Sequence, residues 1–144
     1  MAIAGKNESM FKFVSGGHIL LQQLVKVPFH FDRGAMLVQA ETDIGKLNLA
    51  FDTGASLTLV RSSFVKDLTS QKDFRGLFFC TISHFAIGGR NFGKLDLYPF
   101  DVVPQFQKMD GILGVDFLKN HVIYIDYKDK IIYIGDHKAP ESQL

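Results

Sequence analysis

Apolar residues in this chain recur at alternate positions in short runs, and turn-forming residues separate one run from the next. A strand sends successive side chains to opposite faces, so such runs suit half-buried β-strands. A helix would instead need apolar residues three and four positions apart. The pattern predicts strands over residues 18–26 (HILLQQLVK), 35–42 (AMLVQAET), 46–52 (KLNLAFD) and 77–87 (LFFCTISHFAI), with others near 92–98 and 100–103. The runs HVIYIDY and KIIYIG alternate on both sides of the charged KDK and predict a hairpin. The 14 Phe, with many Val and Ile, supply the bulk that sheet faces require. Only SSFVKDL at 62–68, with Ser caps, and VDFLKNH at 115–121, after Gly114, have helical character. The fold class is mainly β.

With 144 residues and 47% apolar content, the chain can bury one core of reasonable size, and two such domains are not expected. Lys and Arg total 16 against 15 Asp and Glu, a formal charge of +1, so nothing points to nucleic acid or an anionic membrane surface. Cys80 stands alone, which excludes an intramolecular disulfide, and within LFFCTIS it reads as a buried, inert thiol. His18, His30, His84, His121 and His137 show neither H-x-H nor H-x₃-H spacing and read as structural or surface residues, so no metal and no cofactor are expected. IGGRNFG at 87–93 lacks the register of a phosphate loop and leads into a strand pattern, which makes it a turn. Ser56, Ser62 and Ser63 lack the strand-to-helix setting of a nucleophile. The opening MAIAGKNESMFKFVSGG has no apolar h-region behind a basic start, and no run is long enough to span a bilayer. The expectation is a soluble protein, cytoplasmic as the chain stands, and periplasmic or membrane-tethered if a targeting segment was trimmed.

One carboxylate sits in unusual company. In LAFDTGASLTLV, residues 49–60, Asp52 follows one apolar run and precedes another, at the mouth of a tight turn between strands. The plain reading is an Asx turn with Thr53 and Gly54. The alternative is a functional carboxylate, because apolar flanks bury its surroundings, and burial without a partner costs several kcal/mol or raises the pKa. A second informative segment is MDGILGVDFLKNHVIYIDY, where Ile112 and Leu113 precede Gly114 and a short helix.

Taken in this order and spacing, Asp52-Thr53-Gly54-Ala55-Ser56 and Ile112-Leu113-Gly114 resemble the retropepsin-like aspartic proteases, most of all the single-domain bacterial type. The resemblance covers roughly residues 30–135. It implies a closed, β-barrel-like fold with one or two short helices, one lobe per chain, and a second identical chain that completes the active site. The chain has a single D-T-G, since MDG at 109–111 lacks Thr or Ser between Asp110 and Gly111. A lone carboxylate cannot act as acid and base together, whereas a symmetric dimer supplies two that share a proton.

The implied activity is that of an aspartic endopeptidase that cuts extended polypeptide with water activated between two Asp52 carboxylates. Asp52, Thr53 and Gly54 would form the catalytic motif, with Thr53 in the cross-subunit hydrogen bond. Ala55, Ser56, Phe74, Gly76, Phe78 and Ile112 would meet substrate. Thr58, Leu113 and Gly114 would support the loop. Ala55 has no hydroxyl to offer the carboxylate, so the dyad should titrate higher than in a site with Ser there, and activity is expected at mildly acidic to neutral pH. The segment TSQKDFRGLFFCTISHFA leaves room only for a short flap with a tip near DFRGLF, turning at Arg75-Gly76. That shortness keeps a noncatalytic dimerisation or peptide-binding module, or a piece that regulates proteolysis in cis, as alternatives. Residues 1–29 would be an extension or extra strand, a dimer support or a self-inhibitory segment; 30–136 would form the protease domain and 137–144 a tail.

Overall fold

The computed structural model describes residues 24–101 and 108–136. Thirteen strands and two single-turn helices follow in the order β1 (Val25–Pro28), β2 (His30–Asp32), β3 (Ala35–Thr42), β4 (Gly45–Phe51), β5 (Leu59–Arg61), α1 (Ser62–Val65), β6 (Gln71–Lys72), β7 (Phe78–Ile82), β8 (Phe85–Ile87), β9 (Arg90–Asn91), β10 (Leu95–Phe100), β11 (Gly111–Leu113), α2 (Val115–Leu118), β12 (His121–Asp126) and β13 (Ile131–Asp136). The mainly β expectation holds. The predicted residues 18–23 and 102–103, like the tail at 137–144, lie outside the described residues. Among the described residues no helix is long and apolar enough to cross a membrane.

The strands form two sheets. β12 and β13 pair as the predicted hairpin, and β1 adds to β13 in the order β1-β13-β12. The larger sheet runs β6-β7-β10-β5-β11-β4-β3-β8-β9, with β2 beside β3. Among the described residues this is an open path, so the closed, barrel-like arrangement is not detected there. At its centre β11 lies between β4 and β5, parallel to the first and antiparallel to the second. A strand more than fifty residues downstream therefore separates two that are neighbours in sequence, and the 52–58 loop must cross over its end.

The core follows the alternation. Leu47, Leu49 and Phe51 of β4 join Val60, Ile82, Phe85, Leu113, Ile132 and Ile134 in the main cluster. The opposite face carries a smaller cluster of Leu37, Ala50 and Met109, with Ile112 packed against it. β4 is thus covered on both faces near its end, which explains why LAF reads as a continuous apolar run rather than an alternating one. Each fully buried aliphatic or aromatic side chain contributes about 1.5–3 kcal/mol. Cys80 is buried in the main cluster, with Sγ 4.0 Å from the Val65 carbonyl oxygen, and burial pushes its thiol pKa up.

Three sequence expectations need adjustment. Residues 77–87 are two strands, because the chain changes partner: β7 pairs with β10 and β8 with β3, and between them Ser83 donates from N and Oγ to Asp43 Oδ2 at 3.1 and 3.0 Å. The strand near 92–98 begins at Leu95, since Asn91 Oδ1 accepts the Gly93 N–H at 2.9 Å and keeps the preceding residues in a turn. Both helices are shorter than predicted, and neither has a side-chain cap: Arg61 and Gly114 occupy the N-cap positions, and Ser62 lies inside α1. His121 ends the second helical pattern by pairing with Asp136 in the β12-β13 ladder.

Candidate active site

Asp52 directly follows β4, and its N–H donates to the Leu113 carbonyl oxygen at 3.1 Å, extending the parallel β4-β11 pairing by one step. The chain then turns. Asp52 Oδ1 accepts the Gly54 N–H at 2.8 Å, and the Asp52 carbonyl accepts the Ala55 N–H at 3.3 Å. The Asx turn anticipated as the plain reading is therefore real. It fixes the carboxylate in place without excluding a chemical role, because one oxygen serves the turn and the side chain stays half-buried rather than sealed. Thr53, Gly54 and Ser56 are exposed and Ala55 is half-buried, so the apolar flanks bury the strands more than the loop.

Beneath the loop the packing is tight. Thr58 is 0% exposed; its hydroxyl donates to Asp116 Oδ1 at 2.7 Å and accepts the Gly114 N–H at 3.1 Å. Its own N–H donates to Asp116 Oδ2 at 2.9 Å. The Ala55 carbonyl accepts the Val115 N–H at 2.8 Å, tying the loop to the start of α2. A methyl on Gly114 would overlap the Leu57 carbonyl oxygen, and one on Gly111 the Leu59 carbonyl oxygen. These two glycines are spacers that let β11 approach the 55–59 backbone this closely. Asp110 serves the same junction: its Oδ2 accepts the Asn48 N–H at 2.7 Å and its carbonyl accepts the Arg61 N–H at 2.9 Å.

Beside the loop stands a hairpin of β6 and β7. The expected turn at Arg75-Gly76 is displaced by one residue: Asp73 and Gly76 close it, with the Gly76 N–H on the Asp73 carbonyl at 2.9 Å, and Gly76 follows with φ +84°. Asp73 Oδ1 accepts N–H groups from Arg75 and Leu77, and Oδ2 accepts the Arg75 guanidinium and the Tyr98 hydroxyl. Desolvation pushes the Asp73 carboxyl up, but the hydrogen bonds from Arg75, Leu77 and Tyr98 outweigh it and hold the pKa down at about 2. Tyr98 is pushed up, chiefly by desolvation and then by its bond to Asp73. Between the hairpin tip, β10 and the strand leaving the loop lies a cavity of about 480 Å³, lined by Leu57 and Leu59, by residues 76–78, and by Tyr98 and Pro99.

The residues singled out in the sequence divide accordingly. Asp52, Thr53, Gly54, Ala55, Thr58, Leu113 and Gly114 belong to one loop-and-support unit. Gly76 and Phe78 line the adjoining cavity, whereas Phe74, 94% exposed, projects from the tip with its ring near the Arg75 guanidinium. Ile112 packs with the smaller cluster on the other face of β11 from Leu113. Sequence reasoning missed Asp116, Leu57, Leu59, Tyr98 and Asp73. Signals existed for some of them: SLTLV alternates, which places Leu57 and Leu59 opposite buried Thr58 and Val60, and Asp116 is an acid in the first turn of a helix, where a negative charge is favoured.

No family model matches the sequence, and no curated protein matches it. Solved structures do match in shape. A retropepsin-like aspartic protease from Rickettsia conorii aligns with a TM-score of 0.57 at 16% identity, over 78% of this chain and 92% of that one. The retroviral protease-like domain of Ddi1 from Leishmania major aligns with a TM-score of 0.52 at 18% identity, over 74% of this chain and 98% of that domain. At such identities the likeness concerns the fold, and the fold of this chain is retropepsin-like.

Proposed function

We propose that this protein is an aspartic endopeptidase in which two copies of the chain bring their Asp52 carboxylates together. The observation that carries the reading is the Asp52 turn itself: a half-buried carboxylate at an open surface, braced from below by Thr58 and Gly114, in a retropepsin-like fold. Support from below, with Thr53 and Gly54 exposed above, is what a half-site requires. Two such carboxylates at close range cannot both stay ionised, so they share a proton.

In the reaction, the ionised Asp52 takes a proton from a water held between the pair. The resulting hydroxide attacks the peptide carbonyl carbon while the protonated Asp52 donates to the carbonyl oxygen, giving a neutral gem-diol. The Asp52 that took the water proton then gives it to the amide nitrogen while the other Asp52 takes a proton from a gem-diol hydroxyl, and the C–N bond breaks to a carboxylic acid and an amine. Thr53 ties the two loops together, Gly54 and Ser56 face the peptide backbone, and Gly76, Phe78 and Ile112 bound side-chain subsites. Water between carboxylates supplies the nucleophile, so no covalent bond forms between enzyme and substrate.

Sedimentation combined with a peptide-library cleavage assay across pH tests this for wild type and Asp52→Asn. A dimer that cleaves, with cleavage lost in Asp52→Asn, is the expected result. Cleavage that survives Asp52→Asn would overturn the site assignment, and cleavage by a chain that stays monomeric with substrate would overturn the dimer. Mixing adds a sharper test. With random pairing, an equal amount of Asp52→Asn chain should remove about half of the activity of a fixed amount of wild type.

A further inference from the structure

The 73–77 tip is bonded more heavily than its turn requires. Asp73, with its side chain 10% exposed, accepts hydrogen bonds on Oδ1 from the N–H groups of Arg75 (2.8 Å) and Leu77 (3.0 Å), and on Oδ2 from Arg75 Nε (3.1 Å), Arg75 Nη2 (2.7 Å) and the Tyr98 hydroxyl (3.0 Å). The two backbone bonds are those any Asx-type turn makes. The Tyr98 bond is of another kind, because Tyr98 belongs to β10 and its hydroxyl joins the tip to the strand beside the hairpin. Its ring packs on Phe79 at 5.5 Å between centroids, and the Arg75 guanidinium lies 6.0 Å from its centre. The same residue also lines the cavity between the tip and Leu57 and Leu59.

We propose that Tyr98 and Asp73 form a latch that holds the tip against β10, so that the cavity beneath it is formed before any ligand arrives and receives an uncharged, apolar side chain of an extended peptide. A glycine-rich tip free of such bonds would have to be ordered by the ligand, at a cost in affinity. Here the ordering is done by the protein's own side chains. The lining of Leu57, Leu59, Leu77, Phe78 and Pro99 is apolar, and the Tyr98 hydroxyl beside it is already bonded to Asp73, so the site favours an apolar side chain over a charged one. Tyr98 and Asp73 are positioning residues and touch no reacting atom. The peptide clause rests on the peptidase reading, whereas the latch does not.

Amide hydrogen exchange on the full chain at neutral pH, without peptide, tests the latch directly. Tyr98→Phe keeps the ring and removes the hydroxyl, and with it the bond to Asp73 and the contact with the Arg75 side chain. The Arg75 and Leu77 amides should then exchange on the order of tenfold faster. Thr81→Val is the control, since Thr81 Oγ1 donates to Asp96 Oδ1 at 2.7 Å between β7 and β10, away from the tip. Unchanged tip exchange in Tyr98→Phe, or equal acceleration by Thr81→Val, overturns the latch. With peptides that wild type cleaves, Tyr98→Phe should raise KM roughly three- to tenfold for those bearing a branched or aromatic apolar side chain while kcat stays about constant. A fall in kcat at constant KM overturns the positioning role. Wild type that cleaves no peptide sinks the peptidase reading, and the exchange result still decides the latch.

Discussion

Replacing Thr58 by Val changes shape little and hydrogen bonding a great deal. The hydroxyl bridges Gly114 and Asp116 in a place with no solvent access, donating to Asp116 Oδ1 at 2.7 Å and accepting the Gly114 N–H at 3.1 Å. Val leaves the Gly114 N–H buried without an acceptor, which costs about 1–3 kcal/mol, and removes a hydrogen bond to a carboxylate worth about 1.5–3 kcal/mol. The added methyl returns at most about 0.8 kcal/mol by burial. The net loss is roughly 3 kcal/mol, a large part of the 5–15 kcal/mol that holds a typical domain folded. Urea unfolding at fixed protomer concentration should show the midpoint fall by roughly 1–2 M. Thr58→Ser separates hydroxyl from methyl: it keeps both bonds and should lose only about 1 kcal/mol. A Val variant with the wild-type midpoint, or a Ser variant as damaged as the Val variant, would refute the bridging role.

Gly114→Ala forces a methyl against the Leu57 and Ala55 carbonyl oxygens, and the melting temperature should fall by roughly 8 °C; an unchanged melting temperature would mean that β11 can retreat from the loop. Ala55→Ser supplies a donor within the Asp52 turn, and the pH optimum of peptide cleavage should move down, so an upward or absent shift defeats the explanation. The Asp73 carboxyl is held at about 2, below its usual 3.8, so its stabilisation of the tip is fully present above pH 4 and is lost as pH falls toward 2. NMR shifts of the Tyr98 ring should follow that window in wild type and stay flat in Asp73→Asn; a wild-type transition centred above pH 4 would contradict the assignment.

Local pattern made much of this architecture readable. β3 spans the predicted residues 35–42, and the β12-β13 hairpin flanks its charged turn as expected, because one face of each meets the core and side-chain period alone identifies such strands. The misreadings are places where tertiary partners decide. LFFCTISHFAI is mostly apolar and reads as one run, yet it breaks at the polar Ser83 and His84, where the chain leaves β10 for β3. Both helices are one turn long and have no capping side chain, and three residues after α2 His121 enters the β13 ladder. At the site, the D-T-G turn and the I-L-G strand were visible as motifs, but Asp116 and Tyr98 act on residues 58 and 25 positions away. Such pairs have no local signature.

The two sides of the Asp52 loop differ in a way that bears on when its carboxylate is buried. Below, the Asp52 N–H, the Ala55 carbonyl and the Thr58 hydroxyl are engaged by β11 and α2, so the position of the loop is set by residues 113–116. Above, Thr53 and Gly54 are exposed and Asp52 is half-buried. A lone ionised carboxylate sealed in an apolar site would cost the folded chain several kcal/mol. Leaving the upper side open avoids that cost in the single chain, and on the proposed reading defers burial until a second Asp52 is present to share a proton. Folding and active-site assembly then become separate steps. On that reading, substitutions below the loop, such as Thr58→Val or Gly114→Ala, should lower the stability of each chain, whereas Asp52→Asn should leave the chain folded and abolish cleavage alone.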